Sequence, residues 1–340
     1  MPPEPRQSDA STRWDAAVIG GGPAGLAAAT WLGRYRRRTL VFDHGQHRNR
    51  SVEQAHGYLG MDPASPAEIL EAARAGVDRY PDVERRSLEV TAVRGERNRF
   101  AVDAVDGSCI EASRIVLATG LRDVKPDIDG FDEHYGASVF HCPSCDGLEA
   151  GDRDVVAIGW SEDVAGFALE LLDWAASVTV VTDGHRFEGD EQQHQALSRN
   201  GIRLLEADAR AFVGSRGDLR AVRLAGGEEL PCTMAFFSID HKPRSPFAEA
   251  LGCELDEDGS LVVDPCGETT VPGVYAAGDI TPGYQLLQVA TAKGTTAGVG
   301  CARSLRHEAP LPGAPARAPV VEQELGADAE PTKVERTAQG

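Results

Sequence analysis

Asp15-Ala16-Ala17-Val18-Ile19-Gly20-Gly21-Gly22-Pro23-Ala24-Gly25 decides the fold. A short apolar run leading straight into glycines reads as a buried strand entering a tight turn. The Ala-rich stretch 25–33 reads as a helix and Thr39-Leu40-Val41-Phe42 as the next strand. Together they make one βαβ unit of ordinary length. Gly20 permits the turn, Gly22 lets a pyrophosphate approach the backbone, and Gly25 allows close packing of helix on sheet. Pro23 and Ala24 open the helix, whose free amides and dipole favour an anion at that end. Asp43 ends the second strand, where an acid can hold ribose hydroxyls. A flavin or nicotinamide dinucleotide is expected at this turn.

Working outward, strands are expected at 88–93, 100–105 and 115–118, the last ending on Thr119-Gly120. A second βαβ unit follows, with strands at 155–158 and 178–181 around a helix at 164–175. Further strands are expected at 203–205, 219–224, 234–238 and 261–263, and a closing helix at 286–305. One βαβ half nested inside another gives an α/β protein with two Rossmann-like domains, the first interrupted by the second. The boundaries read as 14–120 plus 242–306 for the first domain and 121–241 for the insert. Residues 1–13 and 307–340 lack apolar periodicity and are expected to be disordered.

The chain has 340 residues, suited to two cores rather than one. Its net charge of −19 provides no basic surface for nucleic acid or for an anionic membrane. The basic run 34–38 is assigned to the negative end of the helix that it closes. No apolar run approaches the ~20 residues of a membrane span, and the start lacks a secretory apolar stretch, so a cytoplasmic location is expected. Of seven cysteines, five (Cys109, Cys232, Cys253, Cys266 and Cys301) are scattered and read as small core residues.

The remaining two stand in Cys142-Pro143-Ser144-Cys145, followed by Asp146-Gly147. Two thiols at that spacing can close to a disulfide and reopen, and the adjacent acid can carry the proton. A local helix start would favour the thiolate. Zinc would need two further ligands, which no second cysteine pair supplies, so no metal is expected; His134 and His141 leave a Cys/His site as the rival reading.

The second dinucleotide turn is Gly159-Trp160-Ser161-Glu162-Asp163-Val164. Only Gly159 matches the template, and Glu162 and Asp163 would repel a pyrophosphate. No Arg directly follows the second strand; Asp183 stands there, with Arg186 slightly later. Tight NADPH or NADH binding is not expected. Near the end, Tyr275-Ala276-Ala277-Gly278-Asp279 reads as a strand ending in an acid that can accept a bond from a ribityl hydroxyl. The helix beginning near Gln288-Val289 would aim its amides at a flavin.

GGGPAG, Ala118-Thr119-Gly120, CPSCDG, AAGD and the Gln288 helix, in this order, resemble the small thioredoxin reductases from about Asp15 to Leu305. The resemblance implies a fold of the three-layer ββα type, with FAD in the interrupted domain and the dithiol in the inserted, pyridine-nucleotide-like one. It implies a homodimer in which Cys145 faces the flavin, Cys142 exchanges with substrate, and Asp146 gives or takes the proton. Thr119, Gly120, Gly278, Asp279, Gln288 and Val289 would join the first turn around FAD. The damaged nicotinamide turn departs from the family. Arg48-Asn49-Arg50, His56-Gly57-Tyr58-Leu59-Gly60 and Leu172-Asp173-Trp174 look closer to its flavin dithiol oxidases, which pass electrons to oxygen. Those oxidases often carry His where Asp146 stands. The expected activity is FAD-dependent thiol-disulfide exchange with a thioredoxin-like protein or a small-molecule dithiol or disulfide. Rival readings are a reductase fed by ferredoxin or another flavin, and a redox-sensing flavoprotein without turnover.

Overall fold

The computed structural model describes residues 13–306. Apart from Arg13, both stretches expected to be disordered lie outside the described residues.

β1 (Trp14–Ile19) passes through the glycine turn into α1 (Pro23–Arg34), and β2 (Thr39–Phe42) returns parallel to it. After α2 (Pro66–Val77), β3 (Val83–Arg86) joins outside β2. β4 (Val90–Arg94), β5 (Phe100–Ala104) and β6 (Cys109–Leu117) form an antiparallel meander, and β7 (Leu121–Val124) leaves the unit. The insert begins with α3 (Phe131–His134), β8 (Val139–Phe140) and α4 (Pro143–Asp146). It continues with β9 (Asp154–Ile158), α5 (Asp163–Leu171), β10 (Ser177–Val181), α6 (Glu191–Arg199) and β11 (Arg203–Leu205). β12 (Ala209–Ser215), β13 (Asp218–Leu224), β14 (Glu229–Pro231) and β15 (Met234–Phe237) complete it. β16 (Asp240–Pro243) leads back to α7 (Pro246–Leu251), β17 (Val274–Ala276) and α8 (Leu287–Ser304).

The length of β6 explains the first sheet. Its residues 109–112 pair with β5, while 115–117 lie between β1 and β17. A parallel layer β3-β2-β1-β6-β17 therefore forms, and the meander peels away from it. Successive residues of β1 face opposite sides. Ala16 and Val18 meet Leu26, Leu32 and Cys301 on the helical side, whereas Ala17 and Ile19 meet Phe100 and Val102 of the meander. The insert repeats this plan with parallel order β11-β10-β9-β15-β8. Val155 and Ala157 pack on Ala168 and Leu171 of α5, and Val156 and Ile158 on Val222 and Leu224 of the small antiparallel sheet. Each unit is thus helix, parallel sheet and meander in three layers. The fold is two Rossmann-like units, one inserted in the other.

Two features place the site. A side-chain carbon at Gly294 would lie 2.1 Å from Ala24 O, and one at Gly298 2.6 Å from Ala28 O. These glycines let α8 press its backbone against α1 and bring the start of α8 to the first turn. Second, β7 and β16 pair antiparallel, with Asp123 opposite His241, so a two-stranded ribbon joins the units.

Several expectations are corrected. Cys109 and Cys266 are exposed, and only Cys232, Cys253 and Cys301 are buried; the first opens β6 at its outer end and the second lies in the turn between Asp264 and Gly267. The basic run does not serve only its own helix. Arg37 donates to Ala302 O at the end of α8 (3.1 Å), and Arg38 lies over Trp14. The strand expected at 261–263 is reduced to isolated bridges to Leu255 and Thr269.

Candidate functional site

Ile19 ends β1 fully paired, and α1 starts at Gly22 in extended backbone with Pro23 next. A side chain at Gly20 would strike Ala118 O at 2.2 Å, and one at Gly25 would strike Gly20 O at 1.8 Å. A side-chain carbon at Gly22 would meet nothing within 4 Å. The turn is closed by packing at its ends and open in its middle, where an anion could meet the free amides. Asp43 stands beside it, accepting from the Gly45 amide (2.8 Å) and from Arg74 Nη2 (2.7 Å). Burial alone would raise its pKa; these two donors hold it below the ordinary value.

From this turn a cavity of about 720 Å³ extends along the β1 and β17 ends to the Cys142–Cys145 disulfide. Cofactor sites commonly enclose about 300–1,000 Å³. Gly20, Gly22, Pro23, Ala24, Asp43, Thr119, Gly120, Gly278, Asp279 and Gln288 all line it, as do Cys142, Cys145 and Asp146. Gly25 and Val289 do not: Gly25 packs under the turn, and Val289 is half-buried one position along α8. An open cradle at Gly22, an acid at the end of β2, and a channel reaching a disulfide together fit FAD.

The dithiol is set on α4, a single helical turn capped by Cys142 with Pro143 first. The amides of Cys145 and Asp146 both donate to Cys142 O at 3.2 Å. The expected helix start is present, though only one turn long. Asp146 is 7% exposed, and burial, with the nearby Glu149 charge, pushes its pKa up to about 7. Near neutrality it can both accept and release a proton, as acid–base catalysis needs.

Five further residues form a polar chain beside the cavity, of which Arg48, His141 and Gln285 line it, and their part in it was not read from the sequence. Arg48 Nε donates to both Asp123 oxygens at 3.0 Å, and its Nη1 reaches Gln285 Oε1 (2.7 Å) and Asp279 Oδ2 (3.4 Å). Tyr135 Oη lies 3.5 Å from Asp123 Oδ2 and 3.2 Å from His141 Nδ1. Burial opposes charge on Arg48 and Asp123 alike, yet their contact raises the first and lowers the second. Burial raises Asp279, with Arg48 opposing. His141 is pushed down to about 4 by burial and then by the Arg48 charge, so it stays neutral at working pH. His134, by contrast, is buried against Phe212 and bonds Ser138 Oγ at 2.9 Å; no group of metal-ligating side chains occurs among the described residues.

The second turn differs in kind. A side chain at Gly159 would meet Ser238 O at 2.3 Å and Val164 Cγ2 at 2.9 Å, so this glycine is required for packing alone. Trp160 stacks on His185, with centroids 3.8 Å apart. The Glu188 amide donates to Trp160 O, and Gln193 Nε2 to Glu162 O, both at 2.8 Å. The 182–193 segment thus folds over the turn where a nucleotide would enter. Asp183 is turned away, accepting from the Ala209 amide at 3.2 Å.

The sequence profile of the pyridine nucleotide-disulphide oxidoreductases matches residues 14–294. Thioredoxin reductase tcpT of Claviceps purpurea is 34% identical, over 78% of this chain and 86% of its own length. Thioredoxin reductase sirT of Leptosphaeria maculans is 31% identical, over 84% of this chain and 93% of its own. The crystal structure of an oxidoreductase from Agrobacterium tumefaciens superposes with a TM-score of 0.80 at 34% identity, covering 86% of this chain and 99% of that one. The chain belongs to the pyridine nucleotide-disulphide oxidoreductase family, as a thioredoxin reductase-like oxidoreductase that uses FAD.

Proposed function

We propose that this member of the family oxidises a small-molecule dithiol to its disulfide, drawing no electrons from NADPH. The observation that supports this reading is the Trp160–His185 stack over the second turn, flanked by Glu162 and Asp163. The stacked rings lie beside the turn, leaving a hollow of about 510 Å³ along His185–Gly189, and two carboxylates oppose the phosphates that would have to enter it. The unit that in a reductase would receive a nicotinamide is here a carrier for the dithiol. On this reading, 14–120 plus 242–306 hold FAD and 121–241 present the disulfide. The protein works as a cytoplasmic homodimer, and a thioredoxin-like protein is the second candidate partner.

The residues divide the work as follows. Gly20, Gly22, Pro23, Ala24 and Asp43 hold the pyrophosphate and ribose of FAD; Gly25 supports the turn from below. Thr119, Gly120, Gly278, Asp279, Gln288 and Val289 enclose the remainder. One substrate thiolate attacks Cys142 Sγ, and Cys145 leaves as a thiolate. The second substrate thiolate then attacks the substrate sulfur of that mixed disulfide and releases Cys142. The substrate has lost two electrons and two protons, and the enzyme disulfide has become two thiols. Asp146 takes a proton from a substrate thiol and returns it to a departing cysteine thiolate, so both substrate protons end on the two enzyme thiols. Bound FAD supplies the two-electron acceptor that restores the disulfide, with dioxygen as terminal oxidant.

Anaerobic titration tests this. Dithiols should bleach the yellow protein, whereas NADPH and NADH should leave it unchanged. Cys142→Ser should keep the flavin and lose turnover. Rapid bleaching by NADPH would overturn the reading in favour of a reductase.

A further inference from the structure

The chain crosses between the insert and the rest through the β7–β16 ribbon, and units joined this way swing unless their contacts restrain them. A restraint exists at the rear of the crease between the units, outside the cavity. Arg216 sits at the tip of the β12–β13 hairpin. Its Nε donates to Glu53 Oε1 at 2.8 Å and its Nη2 to Ser51 O at 3.2 Å, both on the nucleotide-binding side. Its Nη1 donates to Glu133 O at 2.9 Å and Tyr135 O at 3.4 Å, both on the insert. One planar fork thus spans the crease with two partners on each bank. The backbones touch beside it: the Glu53 amide donates to Gly136 O at 3.2 Å, and a side chain at Gly136 would come within 2.2 Å of Ser51 O. Both banks lead directly into the site. Ser51 ends the 3-10 turn that carries Arg48, and Tyr135 bonds His141, the residue before Cys142.

We propose that Arg216 is a positioning residue for the thiol exchange: it clamps segment 51–53 to segment 133–136 and thereby keeps the Cys142–Cys145 disulfide on the cavity wall. The proposal rests on the reading above only in taking dithiol exchange as the reaction served. The Arg216–Glu53 ion pair is 42% and 61% exposed, so it contributes little by itself. The three charge-assisted bonds to carbonyls carry most of the clamp. A lysine, being a point charge, cannot hold both banks at once. Because the side chain lies outside the core, its loss should loosen the crease without unfolding either unit.

Hydrogen exchange on the full-length, FAD-loaded protein reads this directly, since the Glu53 amide is protected only while the crease is closed. Arg216→Ala should accelerate exchange roughly tenfold in peptides covering 51–55 and 133–137, as lost charge-assisted bonds imply. β1 should be unaffected, and Arg216→Lys should fall between. In turnover with dithiothreitol, kcat should decline in the order Arg, Lys, Ala while KM holds. Unchanged exchange would overturn the clamp, and faster exchange with unchanged kcat would overturn the positioning role. Should no dithiol reduce the wild-type flavin, the proposed oxidation fails, and the exchange result still decides the clamp.

Discussion

Replacing Asp146 by Asn should make the protein more stable and much less active, and the size of the first effect follows from burial. The Asp146 carboxyl ionises at about 7 in the folded protein against an ordinary 3.8. One pKa unit corresponds to about 1.4 kcal/mol, so at high pH the folded state bears about 4 kcal/mol for holding this carboxylate ionised. The sign runs one way. Below pH 3.8 both states are protonated and nothing is lost; as pH rises towards 7 the unfolded chain ionises first and stability drains away. At pH 5 the cost is already about 1.6 kcal/mol, so between pH 5 and pH 8.5 the advantage of Asn should grow by about 2–3 kcal/mol. Urea unfolding of both proteins at the two pH values measures it. Comparing the pair cancels His141, whose neutral burial acts in the opposite sense, weakening the fold as pH falls from 6.5 towards about 4. Thiol turnover, which in wild type should rise with pH through about 7 as Asp146 becomes a base, should fall roughly 10²-fold or more in the variant and lose that rise. An advantage independent of pH, or turnover that keeps its pH profile without the carboxyl, would refute the reasoning.

The two glycine positions of the first turn should separate folding from binding. Gly25→Ala places a carbon 1.8 Å from Gly20 O and should cost about 3 kcal/mol as the backbone shifts. Gly22→Ala meets nothing within 4 Å, should leave stability within about 0.5 kcal/mol, and should weaken FAD roughly tenfold by crowding the phosphate. Calorimetry of apoprotein and flavin titration give the two numbers. Arg48→Met should destabilise by about 3 kcal/mol at pH 7, because Asp123, 8% exposed, is left charged and unpaired. Asp123 has its pKa held below the ordinary 3.8, so the stability it lends is present above that pH and lost as pH falls below it; the penalty should shrink only below about pH 4 and largely vanish when Asp123→Asn is added.

What could be read from the sequence was whatever depended on neighbours along the chain. The first turn was readable because strand, glycines and helix start lie within eleven consecutive residues. So were the dithiol and its acid, which share five. The polar chain was not. Arg48, Asp123, Tyr135 and His141 come from a 3-10 turn, the ribbon, the residue that caps a one-turn helix, and a loop. No periodicity marks them, and only the crossing of β7 past the first unit brings Asp123 to Arg48. β3 was missed because Val83-Glu84-Arg85-Arg86 is an edge strand with charged side chains. The helix α6 was missed because its only buried residue is Leu197, and an Asp190–Gln193 capping box starts it in place of an apolar stripe.

The two units show how one architecture separates into two tasks. Both have a parallel sheet with helices on one face and a meander on the other, and both begin their helix with a glycine that packing demands. In the first, Gly20 and Gly25 meet that demand from the ends of the turn and leave Gly22 free for a ligand. In the second, Gly159 meets it alone, against Ser238 and Val164. Nothing structural then protects the residues that follow, so Trp160 can turn onto His185 and carboxylates can occupy the helix start without harm to the core. A dinucleotide site can therefore be lost while its fold persists. On the proposed reading the insert faces the cavity with the Cys142–Cys145 pair and its neighbours His141 and Asp146, and the orientation of that pair becomes the property on which turnover should depend.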